Sequence, residues 1–359
     1  MTIKTHNLCF YAGPKACDRL RREGFSPGLI GSLAGASGGA KWLVLSQLDR
    51  VVVDRLLPEF RAPVHMIGSS IGAWRFACYA QANPGAAIDR FERAYLEQSY
   101  SENPDTTEIT RKSRDILDHV LPSSAVADVL AHPALRLNVM TVRSRTPTAS
   151  DSRPLLGAGL LAAMTANAVS RRALSLFFER GLFYDPREEP PFFSATGFRL
   201  HRIPLSAQNL ADAIMASGSI PMVLSGVRDI VGAPAGMYRD GGVIDYHLDL
   251  PTTADDRLTL YLHFFNWLKP GWFDRWLRWR RVDAKHFDNT LLICPSPAFI
   301  AALPGGKVPD RTDFVRWPQP ERVRIWRAVV ERCRQLAEEF ERVLDEDELP
   351  RRVQPLETL

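Results

Sequence analysis

The chain has 359 residues, 45% hydrophobic and 24% charged, with a formal net charge of +4. This is ordinary globular composition, long for one domain but within reach of a large α/β unit carrying a C-terminal extension. The mild basicity is too small to argue for nucleic acid, no run of about 18 apolar residues is present to cross a bilayer, and no His/Cys spacing suggests a metal site.

The N-terminus, MTIKTHNLCFYAGPKACDRL, lacks the continuous apolar core of a secretory signal. The five cysteines (Cys9, Cys17, Cys78, Cys294 and Cys333) are scattered and odd in number, which fits free thiols in a reducing, cytoplasmic setting. GLIGSLA (28–34) predicts a first buried strand, and the Gly-rich GASGGA (35–40) a turn. Residues 41–57 predict a largely buried helix, with a stripe through Trp42, Leu45, Leu48, Val52 and Leu56. Asp49 falls near that stripe, and Pro58 ends the helix. VHMI (64–67) predicts a second short strand, GSSIG (68–72) a turn, and AWRFACYAQA (73–82) a helix that Asn83-Pro84 breaks. Strand, Gly-rich turn and helix thus recur within ~55 residues, the rhythm of a doubly wound parallel sheet.

Helices are expected over 87–99, 111–120, 124–131 and 157–180, and a strand over 135–144. Residues 182–205, rich in Pro, Phe and Arg, read as an irregular connection. Residues 206–221 read as a helix with Ser206 as N-cap, stopped before Pro221. GMYRDGGVIDY (236–246) has a strand–turn–strand pattern, and 258–265 and 290–294 are further strand candidates. The end of the chain, 320–349, reads as one long amphipathic helix with a stripe of Val323, Trp326, Val330, Cys333, Leu336 and Phe340.

Three stretches carry chemistry. Gly68-Ser69-Ser70-Ile71-Gly72 fits G-x-S-x-G centred on Ser70. A nucleophile elbow needs small residues two before and two after its serine, where neighbouring backbone comes close. Ser69 fails that test, being flanked by Ile67 and Ile71. The loop Gly35-Ala36-Ser37-Gly38-Gly39-Ala40-Lys41 can converge backbone N–H groups on an oxyanion. It fails the phosphate-loop pattern, because Ala40 precedes Lys41 and Trp42 follows it. Asp240, ahead of Gly241-Gly242, can act as a general base if partly desolvated and within reach of a hydroxyl. Each stretch taken alone also fits a plain Gly/Ser, close-packed or hairpin turn.

In this order, SGGAKW (37–42), GSSIG (68–72) and DGG (240–242) resemble the patatin-like phospholipase family. ASGSIPMVL (216–224) is similar to that family's Ala/Ser-rich segment upstream of the Asp, and the resemblance covers roughly residues 28–250. The amphipathic 320–349 predicts a helical C-terminal extension packed on the core (256–359), after an N-terminal segment (1–27) and a catalytic domain (28–255). The resemblance implies a three-layer α/β/α sandwich with a mostly parallel central sheet for that domain. It implies a Ser70–Asp240 dyad without histidine, with Ser37, Gly38, Gly39 and Ala40 around the oxyanion. Lys41, Gly68, Gly72, Gly241 and Gly242 would support the motifs, and no metal or organic cofactor is needed. Ser37 stands where the family usually has the first glycine of its hexapeptide, and Trp42 where it usually has the last.

Residues 267–281, WLKPGWFDRWLRWRR, place Trp272, Phe273, Trp276, Leu277 and Trp279 on one helical arc, with Arg275, Arg278 and Arg281 mostly on the other. An interfacial membrane helix has this character, and so has an Arg/Trp helix packed on its own core. The expected partner is a lipid or acyl ester, not nucleic acid, met in the cytoplasm or peripherally at a membrane. Two rival readings stand beside the dyad. One is a Ser–Asp–His triad with His247, His263 or His286, and the other a non-catalytic lipid-binding protein on the same fold.

Overall fold

The strands of the protein are β1 (Leu8–Ala12), β2 (Ile30–Gly35), β3 (Val64–Ser69), β4 (Leu135–Ser144), β5 (Phe178–Tyr184), β6 (Leu200–Pro204), β7 (Val227–Arg228), β8 (Met237–Asp240), β9 (Leu258–Leu262), β10 (Thr290–Pro295) and β11 (Val353–Pro355). In this computed structural model, which describes residues 6–253 and 255–356, they join one sheet in the order β11-β1-β10-β9-β2-β3-β4-β5-β6. The outermost parts of the expected N-terminal segment and extension (1–5 and 357–359) and residue 254 lie outside the described residues.

The centre of the sheet is parallel: β10 with β9, β9 with β2, β2 with β3, and β3 with β4. Parallel strands covered on both faces read as unbroken apolar runs, and β2, β3, β9 and β10 are buried at every residue. Helices flank the sheet, giving the three-layer α/β/α arrangement. The division at residue 256 does not separate layers, because β9 and β10 insert between β2 and β1 in the sheet. The helices Gln319–Arg332, Arg334–Asp345 and Leu349–Arg352 of the extension pack on the outside of the fold.

The register of β4 brings the distant serine and aspartate together. β3 runs parallel along one edge of β4 as far as Ser69 opposite Met140. β8 runs antiparallel along the same edge and ends with Asp240 opposite Thr141. Two strands thus approach head-on and stop on neighbouring rungs.

Several expected elements differ, each for an identifiable reason. Residues 41–57 form a tight 3-10 turn (Gly39–Val44), an α-helix (Ser46–Val51) and a wide π turn (Val52–Leu56). Asp49, the misfit of its stripe, is buried because Arg75 pairs with both its oxygens at 2.9 and 2.5 Å and Tyr79 donates at 2.8 Å. The helix expected over 157–180 runs from Arg153 to Val169, and Phe178 already begins β5. The stretch 182–205 supplies the end of β5 and all of β6. Ser206 is not a helix cap: its N–H donates to Asn209 Oδ1, and the helix starts at Leu210. No second strand follows β8, because Gly242 N–H donates to Asp240 Oδ1 and winds the chain into a 3-10 turn. The helix expected over 320–349 breaks at Cys333, so that its halves follow two surfaces. One packs on Pro84–Glu97 and the other on Ser46–Val51 and β1. All five cysteines are free thiols, and four of them are buried.

Candidate active site

At the C-terminal end of β3 the backbone turns sharply into the helix Ile71–Tyr79. The turning residue, Ser70, has φ 55° and ψ −126°, a conformation that side-chain-bearing residues rarely adopt. The flanking glycines make the turn possible by close approach. A Cβ on Gly68 would lie 2.3 Å from Ala73 N, and one on Gly72 would lie 2.0 Å from Gly35 O at the end of β2.

Ser70 Oγ donates to Asp240 Oδ2 at 2.8 Å. The other oxygen, Oδ1, accepts the Gly242 N–H at 2.7 Å. Burial pushes the Asp240 carboxyl up to about 7, against the opposing pull of the Ser70 and Gly242 hydrogen bonds. Gly241 and Gly242 are fixed by crowding: their Cβ positions lie 2.4 Å from Met140 O and 2.3 Å from Ser37 Oγ. Just beyond, Asp245 is clasped at both oxygens by the buried Arg180, at 2.7 and 2.8 Å.

The segment 216–221 pins both partners. Ser217 Oγ accepts the Ser70 N–H at 2.8 Å and donates to Met140 O at 2.6 Å. The Ser219 carbonyl accepts the Asp240 N–H at 3.1 Å. Reasoning from sequence attached no role to Ser217; the ASGSIP string was its only signal. Ser69, the variable position of the pentapeptide, is buried and accepts from Ser37 Oγ at 2.9 Å. The non-glycine at 37 therefore ties the glycine loop to the elbow.

In the loop, Gly39 has φ 56°. The N–H groups of Gly38, Gly39 and Ala40 find no acceptor among the described residues. Gly38 and Gly39 line a cavity of about 460 Å³ with Ser37, Lys41, Ser70, Asp240 and Gly242, whereas Ala40 is buried behind it. Trp42 turns away into the core and stacks on Phe91 at 4.4 Å between ring centroids. A larger cleft of about 910 Å³ opens at the other end of β3, beside Pro63 and Pro133. Ligands of parallel α/β sheets sit at the C-terminal ends of strands, which favours the cavity at Ser70.

The three histidines are engaged elsewhere. His247 is fully buried, burial holds it far below its usual range, and its Nδ1 accepts the Lys269 N–H at 3.0 Å. His263 is hydrogen-bonded to the Phe265 backbone and pushed down to about 3 by burial. His286 pairs with Asp249 at 2.8 Å, which raises it. None of them bonds to Ser70 or Asp240.

Residues 267–281 do not form the expected helix. Only Trp272–Trp276 makes a 3-10 turn. The fully buried Asp274 takes a 2.8 Å hydrogen bond from Asn167 and is flanked by Arg280 at 3.2 Å and Arg171 at 3.4 Å. Sinking that carboxylate buries Phe273 with it and rules out the two arcs. Trp267, Trp272, Arg275 and Trp276 wall the cavity. Arg275 lies over Trp276, Trp272 and Tyr246 at 4.7, 5.0 and 5.6 Å, with no carboxylate partner among the described residues.

A family model described as patatin-like phospholipase matches residues 34–253, a span that includes the glycine loop, the elbow and Asp240. No curated protein matches the chain.

Proposed function

The chain belongs to the patatin-like phospholipase family, a family of lipid acyl hydrolases, and we propose that it cleaves lipid acyl esters, as a phospholipase A or lysophospholipase, through a Ser70–Asp240 dyad. The observation that carries this reading is the 2.8 Å hydrogen bond from Ser70 Oγ to a buried carboxylate raised to about 7, at the floor of a cavity. A carboxylate of ordinary pKa is a poor base for a hydroxyl, and desolvation removes part of that handicap.

In the reaction, Asp240 takes the Ser70 proton as Oγ attacks the acyl carbonyl. Gly38 and Gly39 line the cavity, and their free N–H groups donate to the developing oxyanion, with Ala40 behind them. Asp240 then returns the proton to the leaving alcohol. A water, deprotonated by Asp240, attacks the acyl-enzyme; the Oγ–acyl bond breaks, Asp240 passes that proton to Ser70 Oγ, and the fatty acid is released. Arg275, a cavity-wall cation with no carboxylate partner among the described residues, held over the tryptophan rings, meets the polar end of the substrate, and Trp267, Trp272 and Trp276 line the path of the chain. The exposed Trp276 and Trp279 make 267–281 a point of peripheral membrane contact.

The test is a fluorophosphonate probe with the labelled residue mapped by mass spectrometry. Labelling at Ser70, lost in Ser70→Ala, is expected. A label elsewhere, or none on the folded protein, counts against the dyad.

A further inference from the structure

The helix Arg153–Val169 has an unusual surface. Every exposed residue on it from Pro154 to Val169 is uncharged, and the chain from Ser152 to Phe178 contains no Asp or Glu. A helix facing water normally carries charge on its outer side. Of the nine large hydrophobics exposed among the described residues, five fall on this stretch: Leu155, Leu161, Met164, Val169 and Leu176. Two more, Trp276 at 61% and Trp279 at 67% exposure, sit on the neighbouring wall segment. The two stretches are stapled together, because Asn167 donates to Asp274 and Arg280 donates to the Asn167 carbonyl at 2.7 Å.

We propose that this helix and the adjoining segment 276–281 form the face on which the protein lies against an anionic lipid bilayer. The proposal rests on reading the cavity as a lipid-ester site and names how the substrate reaches it. Three observations fix the occupant. The rim is cationic: Arg153, Arg172, Arg278 and Arg281 are exposed and have no carboxylate partner among the described residues, so the charge complements anionic headgroups. Between Pro154 and Val169 the helix offers little for directional recognition by a protein, since the hydroxyl of its one exposed polar residue, Thr165, is spent on Leu161 O. The cavity also lies beside this face: Trp272 lines it and, like Leu160 of the helix, packs against the small apolar cluster around Phe178 and Phe273. At 17 residues the helix is too short and too little apolar to span a bilayer, so it lies in the interface.

The experiment uses the full chain carrying Ser70→Ala, so that binding is read without turnover. It is sedimented with vesicles of phosphatidylcholine, with and without phosphatidylserine. Stronger binding to the anionic vesicles, weakened by salt, is expected. Leu161→Asp/Met164→Asp should lower partitioning by about tenfold or more, given what one leucine contributes when buried. On the Ser70 background that pair should also cut hydrolysis of vesicle lipid while leaving hydrolysis of soluble p-nitrophenyl butyrate and the thermal melt unchanged. Binding unaffected by the pair, or equal on neutral vesicles, overturns the proposal. So does a dimer in light scattering that the pair splits, which would make this face a contact between copies. Failure of the lipid-hydrolase reading looks different: vesicles are bound, yet neither substrate is cleaved.

Discussion

The serine elbow and the tryptophan-rich wall face one cavity but are held by different forces. At Gly68–Gly72 the fixing contacts are backbone against backbone, with Cβ positions 2.0–2.3 Å from main-chain atoms. At 267–281 they converge on one buried carboxylate, Asp274, gripped by Asn167, Arg171 and Arg280. The elbow is therefore rigid by exclusion, and nothing larger than glycine fits. The wall is rigid by attraction and depends on one charge. In the proposed reaction the nucleophile, which must be fixed to fractions of an ångström, sits on the first, and the wall proposed to meet variable acyl chains sits on the second.

The largest effect separates stability from activity at the rigid side. Asp240→Asn should lower kcat by at least about a thousandfold. The same change should stabilise the fold, and the sign follows from the titration. Burial raises the carboxyl from 3.8 to about 7, so between those values the folded chain holds a proton that the unfolded chain has released. This group favours folding least above pH 7, where the charge is buried, by an amount on the order of 4 kcal/mol. Melts of Asp240→Asn should therefore exceed wild type at pH 8, with the gain fading towards pH 4. A gain independent of pH would show that Asp240 is not the titrating group. By the same shift, wild-type kcat/KM should climb about tenfold per pH unit below 7 and level off above it.

The next effect strikes the attractive side. Asp274→Ala leaves Arg171 and Arg280 without their shared carboxylate and should cost about 3 kcal/mol in urea unfolding. If sequence pattern alone governed 267–281, losing this charge would release the segment into its helical arcs and raise far-UV helicity. No gain is expected, only a loosened wall seen as a red shift of tryptophan emission. Gly72→Ala is smaller, about 2 kcal/mol, because the elbow helix must retreat from Gly35 to admit a methyl. Equal stability of this variant would mean that the crowding at the elbow is not enforced.

The two regions also differ in how far they could be read in advance. Ser70 is legible because its demand is local: small residues at fixed spacing between an apolar strand and a helix. Asp240 is legible only as part of a resemblance, since its meeting with Ser70 depends on the register of β8 against β4, which no local spacing encodes. Asp49 spoils a helical stripe for a reason found on another helix, its pairing with Arg75. Likewise Asp274 reads as a polar residue among tryptophans, and its burial depends on Asn167, more than a hundred positions away. From 160 to 180 apolar residues recur throughout with no Gly or Pro to mark a break, so periodicity could not divide the helix from β5. The head-on approach of β3 and β8, and the bridge through Ser217, are properties of topology and stay invisible until the sheet is assembled.

The smallest effect tests whether the wall contributes to substrate binding or only encloses it. Trp276 is mostly exposed, so truncating it to alanine should shift stability by no more than about 0.5 kcal/mol. It is also the ring nearest the Arg275 guanidinium, at 4.7 Å, of the three that hold it over the cavity. A cation–π contact at a partly exposed site contributes about 0.5–1 kcal/mol, so Arg275 should become less ordered by that amount. Transferred to substrate binding, this is a rise in KM of about two- to fivefold for a soluble ester with an anionic group, with kcat nearly unchanged. A neutral ester of equal chain length should show less. If both esters lose equally, Trp276 acts through the apolar chain and Arg275 is not the polar anchor. If kcat falls instead, the wall helps to position the elbow, and the division between a rigid floor and an adjustable wall fails.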